Sequence, residues 1–239
     1  MDVLVINLAR SADRRAFMEA DLRRLAVDHE FFPAIDGATV DRASFPHYSR
    51  ARCLRRFGTW LTDGEFGCFA SHYRAWQECV RRGVPIAVLE DDVELSPDFP
   101  HVLSLAGQRI DACRLIRLAG LFPRPYRTIE RIDGSHRLVR FLRGPAGTQC
   151  YALSPNAAAA LVARARHWVE PVDLYIDRFW LHGVESNGIL PFAAKEVAQP
   201  PFRDAIGDRD STRSLFGKAR RELFRLTDGV HRTLYNLTR

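Results

Sequence analysis

The chain has 239 residues, of which 46% are hydrophobic, 27% charged and 10% aromatic, too apolar for a disordered segment and without the short repeat of a fibre. Its 35 basic side chains outnumber 29 acidic ones for a formal charge of +6, and because only Lys195 and Lys218 are lysines, 33 of the cations are arginines, whose planar forks suit phosphate and carboxylate ligands. Five widely spaced cysteines without a C-x-x-C pair argue against a zinc ribbon or a disulfide scaffold.

Val3 to Leu8 is a short aliphatic run that predicts a buried strand. The acidic Asp2 stands where a signal peptide carries positive charge, and no apolar run approaches the ~20 residues of a bilayer span, so neither export nor membrane insertion is expected, while the cysteine pattern makes a reducing cytosol the expected compartment. After the turn at Arg10-Ser11-Ala12-Asp13, Phe17, Leu22 and Leu25 among charges predict an amphipathic helix over Arg14 to Leu25. Glu30 to Ile35 predicts a second strand ending at Asp36-Gly37, and this strand–helix–strand opening indicates an α/β domain with a parallel sheet. Residues 38–60, with Pro46 and scattered arginines, predict an irregular mobile loop.

Thr62-Asp63-Gly64-Glu65 fits a capping box at a helix start. Phe66, Phe69, Tyr73, Trp76 and Val80 then follow at steps of three and four and predict a core-facing stripe, with Glu65, Cys68 and His72 on the neighbouring face. Gly83 should end this helix, and Pro85-Ile86-Ala87-Val88-Leu89 predicts a buried strand running into Glu90-Asp91-Asp92. Further expectations are a helix from Pro97 to about Ala106, strands over Cys113 to Ala119 and Thr148 to Leu153, a helix over Pro155 to Arg166 and a helical stretch from Pro171 to His182. Leu215, Ala219, Leu223, Leu226, Val230 and Leu234 recur at helical steps. They divide the chain into a domain over 1–200 and a basic amphipathic extension over 201–239. That extension either packs its stripe on its own domain, pairs with a second copy, or lies on an anionic membrane through residues 213–237.

Three consecutive carboxylates abutting a buried strand repel one another, and keeping them ionised calls for a bound cation. All-oxygen ligands select Mg²⁺ or Mn²⁺, ions that bridge carboxylates to phosphates, and ligands of open α/β sheets bind at that strand edge. Strict strand alternation would put Glu90 and Asp92 on one side and Asp91 on the other, whereas a turn would bring two of them together.

At these residues the chain resembles glycosyltransferase family 25. The resemblance rests on Val5-Ile6-Asn7-Leu8 with Asp13-Arg14-Arg15, on Phe32-Pro33-Ala34-Ile35-Asp36-Gly37, and on Leu61 to Cys68 with Ser71-His72 and Trp76. It continues through Leu89-Glu90-Asp91-Asp92-Val93, Thr148 to Ser154 and Pro171-Val172-Asp173, covering about residues 2–175. It implies a GT-A-like fold, a mostly parallel sheet flanked by helices, to which the apolar stripe beyond residue 200 adds a helical C-terminal extension. It also implies transfer of a hexose, usually galactose, from a UDP-sugar to a saccharide or glycolipid acceptor such as a lipooligosaccharide core, with inversion. Asp91 and Asp92, with Glu90 as a further ligand, are then expected to hold Mn²⁺ or Mg²⁺ and the donor diphosphate.

The same resemblance places the nucleotide near Asn7, Leu8, Arg10 and Arg14, beside Asp36 and Gly37. It makes Asp173 the first choice of catalytic base alongside catalytic Asp92, with a helix cap as the other reading of Asp173 and Asp177 as a weaker base. Glu65 and His72 are donor-contact residues that also read as a helix cap and a structural histidine. Gln199 and Ser211 are expected to close over the donor, with Asp204, Asp208 and Asp210 between them. The location implied is the cytoplasm or the inner face of the cytoplasmic membrane. Other classes compatible with the same residues are a metal-dependent nucleotidyltransferase or phosphohydrolase and a basic nucleic-acid-binding domain. No nucleic-acid motif supports the last, and no nucleic-acid partner is expected.

Overall fold

The computed structural model describes residues 1–197 and 215–239, with side chains of the final segment from residue 222 onward. In chain order the elements are β1 (Asp2–Asn7), α1 (Ala12–Arg24), β2 (Glu30–Pro33), a 3-10 turn (Arg42–Ser44), α2 (Arg50–Phe57), α3 (Asp63–Arg82), β3 (Ile86–Glu90), β4 (Val93–Leu95), α4 (Phe99–Gly107) and α5 (Ile110–Cys113). They continue with β5 (Leu115–Arg117), β6 (Tyr126–Arg131), β7 (Arg137–Phe141), β8 (Cys150–Leu153), α6 (Pro155–Arg164), α7 (Val172–Ile176), α8 (Phe179–His182), β9 (Asn187–Leu190), β10 (Ala194–Glu196) and α9 (Leu215–Leu237).

Eight strands form one sheet in the order β2-β1-β3-β8-β5-β9-β7-β6, and β4 pairs with β10 in a small antiparallel ladder. The β1–β2, β1–β3 and β5–β9 pairs are parallel, whereas β8 and β7 run against their neighbours. Six of the eight strands therefore share one direction, and the sheet is mostly parallel in that sense. Alternation along the strands feeds two cores. Leu4, Ile6 and Val88 join α3, α6 and α7 on one face, while Val3, Val5 and Leu89 join α1 and α4 on the other. This three-layer α/β architecture, with its C-terminal helix, is GT-A-like.

The longest helix begins as its sequence demands. Thr62 Oγ1 accepts from the Glu65 N–H at 3.2 Å while Glu65 accepts from the Thr62 N–H at 2.9 Å, and Gly83 ends the helix at a left-handed φ of 69°. Phe66, Phe69, Tyr73 and Trp76 are buried as the stripe predicts, but Val80, in the last turn of α3, is 44% exposed.

Three other expectations are corrected. Residues 38–60 contain α2, capped by Ser49 and closed by Gly58, rather than a wholly irregular loop. Cys113 belongs to α5, so β5 begins only at Leu115. The stretch from Pro171 to His182 is broken into α7 and α8 at Asp177-Arg178. There the Asp177 carboxylate turns to Arg117 and the Arg178 guanidinium to Glu170 and Asp228.

Of the three arrangements left open for the C-terminal stripe, packing on its own domain is not the one seen along α9: Leu223, Leu226, Val230 and Leu234 are 56–67% exposed. The helix docks instead through Asn236, which bonds Arg140 and the Leu142 carbonyl, through Asp228 on Arg178, and through Tyr235 against Phe179. None of the five cysteines is paired. No helix among the described residues is long and apolar enough to cross a membrane.

Candidate active site

Parallel pairing of β1 with β3 sets Ile6 opposite Glu90, so the C-terminal tips of both strands end side by side. The strand stops at Glu90, and Asp91-Asp92 form the turn into β4. Alternation therefore fails at this point, and the carboxylates sort by their partners. Asp91 accepts from Asn7 Nδ2 at 2.7 Å and from Arg14 Nη1 at 3.1 Å, and the same Arg14 nitrogen lies 3.4 Å from Asp92 Oδ2. Asn7 also donates to the Ser11 carbonyl, tying the strand tip to the start of α1.

Glu90 turns the other way. His72 Nε2 lies 3.2 Å from Glu90 Oε1, and Thr148 donates to the same oxygen. With its proton on Nε2, His72 accepts at Nδ1 from the Tyr151 hydroxyl at 2.9 Å, which itself accepts from Trp76 Nε1 at 2.9 Å. Every member of this buried chain is satisfied. Cys68, His72 and Glu90 also bring one ligand atom each within 4.8 Å of one another. Burial, followed by the charges of Glu90, Asp173 and Asp92, pushes the Cys68 thiol well up.

The three acids consequently differ in ease of ionisation. Burial opposes the Glu90 charge, yet His72, Thr148 and Arg14 together hold its carboxyl below the usual range. Burial outweighs Asn7 and Arg14 at Asp91 and raises it. Burial and then the Glu90 charge push Asp92 up to about 7, and its Oδ1 is buried without a hydrogen-bond partner. An orphaned carboxylate oxygen beside a second carboxylate, with too little positive charge nearby, fits a hard divalent cation. Asp91 and Asp92 are the residues that would hold it, and Glu90 is engaged with α3.

Asp173 on α7 is tied to this neighbourhood through adjacent residues, Gly147 donating to Asp173 and Thr148 to Glu90. It is not the cap of its helix: Pro171 occupies that position, and Asp173 Oδ2 accepts from the Gly147 N–H at 3.3 Å. Asp177 is committed elsewhere, accepting from Arg117 Nη2 at 2.7 Å and from the Ala146 N–H at 2.9 Å. Arg117, fully buried on β5, also donates to the Gly147 carbonyl at 2.5 Å. Sequence reading missed it, because a single arginine inside the run Leu115 to Ala119 carries no local mark of a partner on α7.

The remaining site residues divide between the strand tip and the packing around it. Leu8 accepts from the Ser11 N–H in the turn after β1, and exposed Arg10 pairs with Asp36. Glu65 caps α3. Gly37 and Gly67 interlock: a Cβ on Gly37 would collide with the Asp63 carbonyl, and one on Gly67 would lie 2.8 Å from the Gly37 nitrogen. Ser71 completes this clamp by accepting from the Ile35 N–H at 2.8 Å and donating to the Gly67 carbonyl at 2.6 Å. Gln199, Asp204, Asp208, Asp210 and Ser211 lie outside the described residues.

Residues 1–176 match the family model described as glycosyltransferase family 25 (LPS biosynthesis protein). Over 104 residues the chain is 38% identical to "Inactive glycosyltransferase 25 family member 3" of Mus musculus, covering 41% of this chain and 17% of the relative. Over 111 residues it is 32% identical to "Glycosyltransferase 25 family member" of Drosophila melanogaster, with 41% and 17% covered. Over 120 residues it is 31% identical to "Procollagen galactosyltransferase 1-A" of Xenopus laevis, with 48% and 20% covered. The chain thus spans about a fifth or less of these relatives, one of which is named inactive and another a galactosyltransferase. The family model, in contrast, takes in the strand tips, the acidic turn, the α3 clamp and Asp173 together, and on that match the chain belongs to glycosyltransferase family 25.

Proposed function

We propose that the chain is an inverting glycosyltransferase that moves a hexose, galactose by the family resemblance, from a UDP-sugar to a saccharide or glycolipid acceptor of the lipooligosaccharide core type. The observation that carries this reading is the orphaned, buried Asp92 Oδ1 beside Asp91 and Arg14 at the joined tips of β1 and β3. Asp91 and Asp92 would hold Mn²⁺ or Mg²⁺, which when bound neutralises charge on the departing diphosphate. Arg14 adds a guanidinium at the same place, and Asn7 fixes the Asp91 carboxylate through its 2.7 Å hydrogen bond.

Inversion requires one direct displacement. The acceptor oxygen bonds to the anomeric carbon, the bond to UDP breaks, and the hydroxyl proton passes to a carboxylate. Asp173 is the carboxylate suited to that role. It holds a single N–H from Gly147, whereas Asp177 is occupied by Arg117 and Ala146. Glu90 and His72 support the acidic turn from beneath.

The exposed apolar stripe of α9 favours a peripheral position on an anionic membrane at its cytoplasmic face, where a lipid-linked acceptor would lie. UDP release with Mn²⁺, a panel of UDP-sugars and a saccharide acceptor tests the chemistry. Asp92→Ala should remove turnover by at least about 100-fold, charge stabilisation by a metal amounting to several kcal/mol. Nucleotide hydrolysis with no sugar transferred to any acceptor would move the chain to the phosphohydrolase class.

A further inference from the structure

A cavity of about 510 Å³ opens behind the loop that holds Asp173, walled by the turn before α3, by α7 and α8, and by α9. Gly144 and Ala146 line it, so it abuts the segment whose next residue, Gly147, bonds Asp173. Three guanidiniums meet on its wall: Arg124, Arg143 and Arg232. The cavity's acids are already committed, Glu170 and Asp228 to Arg178, Asp177 to Arg117, and Glu222 to Arg225. Among the described residues the three arginines form no ion pair, and Arg124 Nε is buried with no hydrogen-bond partner.

The crowding is visible in their electrostatics. Burial, and after it the Arg143 charge, depresses the Arg124 guanidinium, and the same two causes in the same order depress Arg232. The Asp177 and Asp228 carboxylates offset this repulsion only in part, being engaged with Arg117 and Arg178, so an anion relieves the cluster, and planar guanidinium forks match phosphate oxygens bidentately. Two more features point to a sugar. Trp60 and Trp180 line the cavity with apolar rings of the kind that cover a sugar face, and the Trp180 Nε1–H is buried without an acceptor.

We propose that this cavity is the acceptor subsite, and that it takes a saccharide bearing a phosphate group, the phosphate held by Arg124, Arg143 and Arg232 and the ring by Trp60 and Trp180. The inference rests on the glycosyl-transfer reading and names the acceptor class for it. Asp173 does not itself line the cavity, so the acceptor would extend from the arginine wall past Gly144 and Ala146 to bring its hydroxyl toward that carboxylate.

Calorimetry on the full chain tests the assignment, with Mn²⁺ and UDP present in saturating amounts so that the donor end is filled. Glucose 6-phosphate should bind at least about tenfold more tightly than glucose, charge-assisted hydrogen bonds being the strong ones. It should also bind more tightly than inorganic phosphate. The double variant Arg124→Gln/Arg232→Gln should lose the preference for the phosphorylated sugar, yet keep UDP affinity and its thermal midpoint. Equal affinity for glucose and glucose 6-phosphate in the unaltered chain overturns the proposal, as does an unchanged preference in the double variant. Inorganic phosphate binding as tightly as the sugar phosphate would reduce the cavity to an anion site and end the acceptor assignment. Phosphatidylglycerol vesicles give the last arm: if they, and not glucose 6-phosphate, lose binding in the double variant, the arginines serve a membrane and the proposal falls. Sugar-phosphate binding through these arginines without any UDP binding would leave the cavity standing and remove the donor reading. UDP binding without sugar-phosphate binding would do the reverse.

Discussion

Arg117→Met is the most informative single perturbation beside the cavity that Asp177 lines. The guanidinium is 0% exposed and its donors go to two acceptors, the Asp177 carboxylate at 2.7 Å and the Gly147 carbonyl at 2.5 Å. Methionine matches its length without charge, so the cost is chiefly electrostatic. Removing one partner of a buried ion pair typically costs about 3–5 kcal/mol, because the other charge remains in a low-dielectric site. For a chain of this size, ~2–4 °C per kcal/mol puts the loss of thermal midpoint at about 6–20 °C.

The pH dependence identifies the culprit. Burial already raises Asp177, and losing Arg117 raises it further. The penalty should be complete well above the folded-state pKa and shrink as pH falls toward the unfolded value of about 3.9, where Asp177 becomes neutral in both states. Urea unfolding of both proteins between pH 4.5 and 8 measures this. A loss below about 1 kcal/mol at pH 7, or one that does not shrink on acidification, would refute the claim that Arg117 and Asp177 form an essential buried pair.

Three further outcomes are expected. Asp92→Asn should abolish UDP release while leaving urea stability at pH 8 equal to or higher than that of the unaltered chain. The reason is that burial and Glu90 push Asp92 up to about 7 and its Oδ1 has no partner; a clear loss of stability would show that the ionised carboxylate is structural. His182 meets the Tyr175 and Ile176 carbonyls through Nε2 at 3.2 Å and accepts the Val184 N–H at Nδ1, and burial holds its imidazole down to about 4. Its neutral form therefore supports the fold above about pH 6.5, and that support should fade by ~3 kcal/mol as pH falls to 4. His182→Gln should flatten that slope, and an equally steep profile in the variant excludes His182 as its source. Gly67→Ala places a Cβ 2.5 Å from the Ile35 carbonyl and should cost about 1–3 kcal/mol by overpacking; unaltered stability would deny the interlock with Gly37.

Local signals in the sequence specified β1, β3 and α3 well, because an aliphatic run or a Thr62–Glu65 box needs no knowledge of distant residues. The hairpin of β6 and β7 gave no such signal. Every residue from Tyr126 to Arg131 is exposed, so no alternation marks the strand. β9 was hidden by Asn187-Gly188, a pair that reads as a turn until the packing is known: a Cβ at Gly188 would lie 2.6 Å from the Phe141 ring. The site was legible in its members and less so in its wiring. Asn7, Arg14, His72 and the three acids do meet at one sheet edge. Strict alternation would have paired Glu90 with Asp92; the strand's end at Glu90 pairs Asp91 with Asp92 instead. The exposed face of α9 was undecidable from periodicity, which shows that a stripe exists but not which way it faces.

The wiring gives the acidic turn a graded character that three identical carboxylates would lack. Neighbouring acids compete for whatever positive charge and hydrogen bonds the fold supplies. Glu90, still inside β3, receives His72 and Thr148 and is held below the usual range. Asp91, the first residue past the strand, receives Asn7 and the nearer contact to Arg14, and is raised only in part. Asp92 receives one 3.4 Å contact, is pushed up to about 7 and keeps an oxygen unpaired. Glu90 and Asp91 each hold two side-chain partners, and only Asp92, two residues past the strand, is left with the single Arg14 contact from α1. A fold that satisfied all three acids internally would be more stable and would have nothing left to offer a cation. The anchored pair fixes the turn from two sides, and the third acid, poorly compensated by the protein, is the one free to gain most from an added ligand.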